Sequence, residues 1–245
     1  MSFFITFEGG EGSGKSTQAK VLKGRLEKLG VNVVLTHEPG GTELGDDIRA
    51  WLKGTGKGAK GKGAKGKETV SDIDPRAELL LFNAARAQLV SRVIRPALES
   101  GAVVICDRFY HSTIAYQGHG RGLDPALVDA ANNIGAGGLK PNLTVLLDID
   151  AKTGLKRKKP QDRFEKENIY FHQKVRQSYL GMAQKDPQRW LVIDASLSKQ
   201  ETERLIWQWI EQLMPAMRRS EQPSKKEPSN AQTDTQNDVA KKTKK

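Results

Sequence analysis

The sequence predicts an α/β protein in which a five-stranded parallel sheet is flanked by helices on both faces. The first observation is a series of five short apolar runs, separated by longer segments with helical spacing. The second is that these runs are continuously apolar, which is typical of strands buried on both faces. The third is a glycine-rich loop directly after the first run. Ligands of such folds bind at the carboxyl ends of the strands.

The elements are assigned in chain order from hydrophobic periodicity. Strands are predicted over residues 3–7, 31–36, 102–106, 143–148 and 190–193. Helices are predicted over residues 15–29, 44–52, 76–100, 125–134, 163–184 and 199–214. In the last helix, apolar side chains repeat at helical spacing from Leu205 to Met214, which indicates one buried face.

The formal net charge of +11 is concentrated in two segments. Residues 53–67 contain six lysines and no acid, within a GKGAK repeat, and residues 217–245 contain eight basic and four acidic residues. Both segments lack the apolar residues needed to offset the entropy of ordering. We therefore predict one domain over residues 1–216, with a low-complexity insertion at 54–67, and a disordered basic tail at 217–245.

Cysteine content and hydropathy bound the cellular setting. The single cysteine, Cys106, lies in an apolar strand and is expected to be a buried small hydrophobe, which suits a reducing, cytoplasmic compartment. No apolar run approaches the roughly 20 residues of a membrane helix. The amino terminus enters the first strand at once, so we expect no signal peptide.

The loop after the first strand has the complete pattern of a phosphate-binding loop. Its residues are Gly9, Gly10, Glu11, Gly12, Ser13, Gly14, Lys15 and Ser16, and Thr17 follows. Glycines allow backbone N–H groups to converge on phosphate oxygens, and the following helix directs its positive end at the same anion. In such loops the lysine bridges the β- and γ-phosphates and the hydroxyl binds Mg²⁺. The alternative, a glycine-rich turn without function, does not explain the strand and helix on either side.

Further motifs follow the other strands. The second strand leads into His37-Glu38-Pro39-Gly40-Gly41-Thr42 and a helix with Arg49, and the third leads into Asp107-Arg108-Phe109-Tyr110 and residues 112–118. Between them lies DPRAELLLF, residues 74–82, followed by Arg86-Ala87-Gln88. In this order, over about residues 3–214, these blocks strongly resemble the thymidylate kinase family. The resemblance implies a phosphate-loop nucleoside monophosphate kinase fold, ATP and Mg²⁺ as cofactors, dTMP as acceptor, and a homodimer.

The resemblance also implies roles at the acceptor phosphate and the metal. Arg108 is similar to the arginine of the family that holds the acceptor 5′-phosphate, and Arg49 is expected to be a second contact. Two arginines would offset the repulsion between donor and acceptor phosphates. Asp107 and Ser16 are expected to organise Mg²⁺. A surface ion pair between Asp107 and Arg108 is the structural alternative.

Other residues match the base and sugar site of the family. Phe82 and Arg86 lie four apart on one helix face, where the resemblance implies stacking on thymine and hydrogen bonding to its exocyclic oxygen. By itself Phe82 is equally explained by core packing. Tyr116 matches the tyrosine that excludes a ribose 2′-hydroxyl, and Glu11 matches an acid that meets the 3′-hydroxyl. The remaining substrate-binding residues expected are Pro39, Ser112, Thr113 and Gln117.

The segment 154–165 is predicted to close over the site as a lid. Gly12 stands where some members of the family have an arginine, and members without it resemble the bacterial type, in which the lid delivers the catalytic cation. Arg157 is the first candidate for that cation and Arg163 the second. The lid is shortened and has lysines where arginines are frequent, so a plain solvated charged surface is the competing interpretation.

The predicted reaction is in-line transfer of the ATP γ-phosphoryl group to dTMP, with Lys15, Arg108 and a lid arginine as catalytic residues. A deoxynucleoside kinase is the main alternative, but it needs a general base, such as Glu38, and leaves the two phosphate-binding arginines unexplained. A guanine-nucleotide switch would need an Asn-Lys-x-Asp motif, and the fourth strand ends in Leu-Asp-Ile-Asp instead. A nucleic-acid-binding module is suggested only by the lysine repeats, which lack aromatic residues; no membrane partner or specific nucleic acid is expected.

Overall fold

A computed structural model describes residues 2–54, 73–157 and 162–219. Five parallel strands form one sheet in the order β2-β3-β1-β4-β5. They are β1 (Phe3–Glu8), β2 (Val33–His37), β3 (Val103–Asp107), β4 (Leu143–Asp148) and β5 (Trp190–Asp194). The sheet predicted from the apolar runs is confirmed, with strand limits that differ by at most two residues.

Helices connect the strands. In chain order they are α1 (Lys15–Lys28), α2 (Glu43–Lys53), α3 (Pro75–Leu89), α4 (Arg95–Glu99), α5 (Tyr110–Thr113), α6 (Pro125–Ala136), α7 (Ala151–Lys156), α8 (Ile169–Lys185) and α9 (Lys199–Arg219). Two π-helical stretches, Val90–Ile94 and Ile114–Gly120, continue α3 and α5. None of the helices that the structure describes is both long and apolar enough to cross a bilayer.

Alternating strand residues build two cores, one on each face of the sheet. Phe3, Ile5 and Phe7 of β1 pack with residues of α1 and α9, whereas Phe4 packs with the stretch that follows α3. Cys106 belongs to the second core and is fully buried, as expected from its apolar neighbours. Helices therefore cover both faces, which explains why the strand sequences are continuously apolar.

The carboxyl ends of three strands converge at one edge of the sheet. Register pairs Phe7 of β1 with Asp107 of β3, and Asp107 with His37 of β2. The phosphate loop, the segment after His37 and the segment after Asp107 therefore start side by side. This convergence brings together sequence blocks that lie up to about a hundred residues apart.

The long helix predicted over residues 76–100 is helical but not regular. It runs as α3, the π-helical stretch Val90–Ile94 and α4. Pro96 lies in the first turn of α4. Because a proline ring clashes with the carbonyl four residues earlier and donates no N–H, the preceding turn widens. Residues 110–120, for which no element was predicted, form α5 and a second π-helical stretch.

The helix predicted over residues 163–184 begins too early. Residues 162–167 form turns, and α8 starts at Ile169, where Asn168 Oδ1 accepts a hydrogen bond from Phe171 N at 2.9 Å. An asparagine cap stops the helix from extending backwards. The lid segment 154–165 therefore consists of the end of α7 and a turn around Asp162, while residues 158–161 lie outside the described residues.

The predicted appendages fall mainly outside the described part of the chain. Of the insertion at 54–67, only Gly54 is described, and it ends α2 with a φ of 73°. Helix α9 continues to Arg219, beyond both the predicted helix end at 214 and the domain limit at 216. The domain limits and the disorder of the tail stay predictions.

Candidate active site

The phosphate loop, residues 9–16, joins β1 to α1. Gly9, Gly12 and Gly14 have φ values of 138°, 69° and 91°, which side-chain-bearing residues rarely adopt. A Cβ on Gly9 would also collide with the Leu147 carbonyl oxygen. The glycines therefore allow a loop whose backbone ends at the positive pole of α1, an arrangement that binds anions. Thr17 is exposed in the first turn of α1.

Lys15 is buried in this loop. Its Nζ donates to the Gly10 carbonyl oxygen at 2.7 Å and to Ser13 Oγ at 3.2 Å. Burial, followed by the charge of Arg108, lowers the pKa of Lys15 to about 8. An ammonium with so little solvation is stabilised by an anion bound in the loop.

The two predicted metal ligands, Ser16 and Asp107, are in direct contact. Ser16 Oγ donates to Asp107 Oδ2, and Asp107 Oδ1 is buried with no hydrogen-bond partner among the described residues. Mg²⁺ usually takes one or two protein oxygens and completes its shell with water and phosphate. The pair fits that requirement. Elsewhere in the described residues, no group of three or more acidic, histidine or cysteine side chains could hold a metal.

Arg108 is the centre of the site. Its φ of 74° is unusual for a residue with a side chain, and such strain is found at functional sites. The guanidinium donates to Glu11 Oε1 at 2.9 Å, Tyr116 OH at 3.2 Å and Ser112 Oγ at 3.2 Å. It also contacts the Gly9 carbonyl oxygen at 3.1 Å, so the arginine after β3 is tied to the loop after β1.

Glu11 carries a negative charge next to the phosphate loop. Burial by itself would raise its pKa, but Arg108, Lys15 and a 2.8 Å hydrogen bond from the Tyr116 hydroxyl lower the pKa to about 2. Glu11 therefore stays ionised at physiological pH. The structure thus brings together Glu11, Arg108 and Tyr116, three residues that were each predicted to contact the acceptor.

Beneath Arg108 lies a buried carboxylate that sequence reasoning missed. Glu8, the last residue of β1, is fully buried and accepts hydrogen bonds from Phe109 N, Ser112 Oγ and Tyr179 OH at 2.7–2.8 Å. Burial raises the pKa of Glu8, and Arg108 opposes the shift. Tyr179 OH also lies 3.3 Å from Arg108 Nη1. An acidic residue at the end of the apolar first strand was the one signal in the sequence that could have indicated this site.

Arg86 is buried beside the site with every N–H group engaged. It donates to Glu38 Oε2 from Nε at 2.8 Å and lies 2.7 Å from the same oxygen through Nη2. Its other partners are Asn83 and Asn132 through Nη1, and Thr113 through Nη2, at 2.8–3.0 Å. Burial raises the pKa of Glu38 to about 7 although Arg86 lowers it. The predicted need of Arg86 for a partner is confirmed, whereas its predicted hydrogen bond to the base stays a prediction.

One cavity of about 660 Å³ joins these groups. From the donor side it is lined by Lys15, Ser16 and Thr17, and from the acceptor side by Arg49, Phe82, Arg108 and Tyr116. Pro39, Ser112, Thr113 and Gln117, also predicted to bind substrate, lie along its walls, whereas Arg86 is not among the described residues that line it. Arg49 Nη1 donates to the Pro39 carbonyl oxygen at 2.7 Å, and the Phe82 and Phe164 ring centroids are 5.8 Å apart. Asp162, Phe164 and Glu165, which belong to the predicted lid segment but were not named as substrate-binding residues, also line the cavity.

The two predicted lid arginines point in different directions. Arg157 Nη1 donates to the Ala195 carbonyl oxygen at 2.9 Å and to that of Gly12 in the phosphate loop at 3.3 Å. Arg163 pairs with Glu78 and donates from Nε to the Leu52 carbonyl oxygen at 2.6 Å. Neither Arg157 nor Arg163 is among the described residues that line the cavity.

The phosphate loop at the edge of the parallel sheet opens into a cavity whose other side carries Arg49 and Arg108. This arrangement defines a phosphate-loop kinase of the nucleoside monophosphate kinase class. A sequence model of the family described as thymidylate kinase matches residues 7–206. The chain therefore belongs to the thymidylate kinase family and is a phosphotransferase.

Individual relatives agree with the family match. The thymidylate kinase of Dehalococcoides mccartyi is 50% identical over 216 residues, which are 87% of this chain and 98% of that protein. The thymidylate kinase of Thermomicrobium roseum is 44% identical and covers 90% of this chain and 100% of its own length. A crystal structure of thymidylate kinase from Ehrlichia chaffeensis superposes with a TM-score of 0.64 at 35% identity, covering 86% of this chain and 98% of that one.

Proposed function

We propose that the protein transfers the γ-phosphoryl group of ATP to dTMP, giving ADP and dTDP for dTTP synthesis. The observation that supports this most directly is the single cavity that joins the phosphate loop to the Glu11–Arg108–Tyr116 cluster. A nucleoside triphosphate on one side and a nucleoside monophosphate on the other would meet within it. The names of the relatives supply the identity of the acceptor.

On the donor side, residues 9–17 bind the triphosphate. Lys15 exchanges its contacts with Gly10 and Ser13 for phosphate oxygens. Ser16 and Asp107 would hold Mg²⁺, which would neutralise part of the phosphate charge. Asp107 Oδ1, which has no hydrogen-bond partner in the described part of the chain, supports this assignment.

On the acceptor side, Arg108 and Arg49 hold the 5′-phosphate. Phe82 stacks on the base, and its tilted neighbour Phe164 closes the pocket beside it. Tyr116 lies against the sugar at C2′ and Glu11 accepts from the 3′-hydroxyl. Pro39, Ser112, Thr113 and Gln117 form the remaining walls, and Arg86 supports one of them by donating a hydrogen bond to Thr113.

Catalysis is by positioning and charge neutralisation. The acceptor oxygen is already anionic, so no general base is required. Lys15, Arg108 and a lid cation stabilise charge as it develops on the transferred group. Arg157 is the better-supported lid cation because it already contacts the phosphate loop at Gly12.

A homodimer and a cytoplasmic location are part of the same proposal. Leu80 of α3 and Ile134 of α6 are 63% and 80% exposed, on helices that pack side by side. Leu127, seven residues before Ile134, adds to this apolar surface, which suits a second copy of the chain. Sedimentation should show a dimer that Ile134→Asp weakens, and a monomeric wild type would contradict the dimer. The lone buried Cys106 suits a reducing compartment.

The decisive experiment is an acceptor panel with ATP and Mg²⁺, read by coupled release of ADP. The acceptors are dTMP, dUMP, ribothymidine monophosphate, dCMP, dGMP and thymidine. We expect the highest kcat/KM for dTMP, and none above background for thymidine. Lys15→Ala should lose turnover while its circular dichroism spectrum is unchanged. Preference for thymidine would support the deoxynucleoside kinase and overturn the proposal.

A further inference from the structure

Glu78 is a buried carboxylate outside the cavity that contacts three residues from two different segments of the site. It lies on α3, one helical turn before Phe82, and has no exposed surface. Its Oε1 accepts from Gln117 Nε2 at 2.6 Å and from Arg121 Nε at 3.3 Å. Its Oε2 pairs with Arg163. A carboxylate without solvent requires such partners, and here they come from the π-helical stretch Ile114–Gly120, from Arg121 directly after it and from the lid segment.

The contact with Gln117 determines which way its amide is turned. An ionised carboxylate can only accept hydrogen bonds, so the group facing Glu78 must be the NH₂ of the amide. The carbonyl oxygen of Gln117 is then the atom left to meet other partners. Gln117 lies in the wall of the cavity near Phe82 and Tyr116, where the proposed function places the nucleobase.

The contact with Arg163 anchors one wall of the same pocket. Arg163 reaches from Glu78 to the Leu52 carbonyl oxygen at the end of α2, and its guanidinium carbon lies 4.5 Å from the Phe164 ring centroid. Next to it, Asp162 pairs with Lys53 at 3.0 Å. The turn that presents Phe164 to the cavity is thus held from both sides, by α2 and α3.

We infer that Glu78 is a specificity-determining positioning residue, which turns the carbonyl oxygen of Gln117 towards the base and, through Arg163, fixes the wall that carries Phe164. This inference rests on the proposed function. A pyrimidine with an N3–H donor, as in thymine and uracil, matches an acceptor oxygen, whereas the unprotonated N3 of cytosine does not. Arg163 then serves as an anchor, and Arg157 is left as the lid cation.

The first test compares Glu78→Gln with wild type on dTMP and dCMP. The new amide can accept as well as donate, so it no longer dictates the orientation of Gln117. We expect kcat/KM for dTMP to fall at least about tenfold, and the ratio of dTMP to dCMP to narrow by a similar factor, with KM for ATP unchanged. A simple loss of stability would lower the active fraction for both acceptors and leave the ratio intact. An unchanged ratio overturns the inference.

Two further variants keep the test decisive if Glu78→Gln fails to fold. Gln117→Ala should narrow the same ratio, and retention of full discrimination would overturn the inference. Arg163→Ala should raise KM for dTMP with a smaller change in kcat, while a large loss of kcat at constant KM would overturn the anchoring role. Arg176→Ala, which removes a carboxylate pair with Asp148 outside the cavity, is the matched control and should change neither parameter. If wild type fails to phosphorylate dTMP, the proposed function itself is wrong.

Discussion

Gly12 of the phosphate loop and Gly154 of α7 are in backbone contact. A Cβ on Gly12 would lie 2.9 Å from the Gly154 carbonyl carbon and collide with its oxygen, and a Cβ on Gly154 would collide with the Glu11 carbonyl oxygen. The contact also brings the end of α7 against the loop, where Arg157 reaches the Gly12 carbonyl oxygen. Position 12 has no arginine of its own, but Arg157, at the end of α7, brings a guanidinium to the same part of the phosphate loop.

Gly154→Ala should displace the loop from α7. We expect a loss of about 1–3 kcal/mol in the free energy of unfolding, because an overpacked interface cannot relax through backbone atoms. ATP affinity should fall as well. Gly181→Ala is the control, since that helical position in α8 has no atom near an added Cβ and should gain about 0.5–1 kcal/mol. Denaturant unfolding and nucleotide titration measure both; equal stability of the two variants would contradict the close contact.

The pKa of Lys15 predicts an alkaline limit for ATP use. The cation is present below the pKa of about 8 and is lost as the pH rises through it. Because kcat/KM reports ionisation of the free enzyme, kcat/KM for ATP should decline above pH 8. Lys15→Arg keeps its charge over this range and should give a lower but flat profile. A flat wild-type profile up to about pH 10 would argue against the shifted pKa.

Glu11 can be tested with a matched pair of acceptors. Glu11→Gln should reduce kcat/KM for dTMP about 10- to 100-fold, as expected for a lost hydrogen bond to a charged group. With 3′-deoxy-dTMP, which lacks the hydroxyl, the same substitution should have much less effect. Glu11 also pairs with Arg108, and any effect of the substitution through that arginine should be the same for the two acceptors. The difference between the acceptors therefore reports the contact with the 3′-hydroxyl. Equal losses with both acceptors would show that Glu11 acts only through Arg108.

Tyr179 should support the acceptor site through Glu8. Tyr179→Phe removes a buried hydroxyl that donates to Glu8 at 2.8 Å and lies 2.8 Å from Ser112 Oγ. We expect a loss of about 1–3 kcal/mol in stability and a severalfold rise in KM for dTMP at unchanged KM for ATP. Tyr170→Phe, in the same helix but 71% exposed, is the control and should leave all three values unchanged. An equal rise in both KM values would point to a general loss of structure.

The two basic segments should be dispensable for phosphoryl transfer. Deleting residues 55–67 and 220–245 removes most of the excess positive charge and keeps α2 and α9 complete. We expect kcat and both KM values to stay within about twofold of wild type. The same assay with added polyanion checks for salt-sensitive binding by these segments. A large loss of activity on deletion would show that one of them acts at the site.

Strands and the phosphate loop could be predicted because their signals are local. Five apolar runs place the strands to within two residues, and the fixed glycine spacing identifies the loop without any tertiary information. Helix limits were less predictable at two places. The cap at Asn168 and the proline at position 96 changed the course of helices that periodicity alone would continue.

The sequence by itself determined the sheet, the phosphate loop and the residue blocks that line the acceptor pocket, because apolar periodicity and loop chemistry are encoded within a few neighbouring residues. Only the tertiary structure decided how the charges are shared. Glu8 meets Tyr179 across 171 residues, and Arg163 turns towards Glu78 while Arg157 turns towards the loop. Such pairings depend on which strand ends and helices lie side by side, and a buried charge is stabilised by whichever partner the packing places next to it.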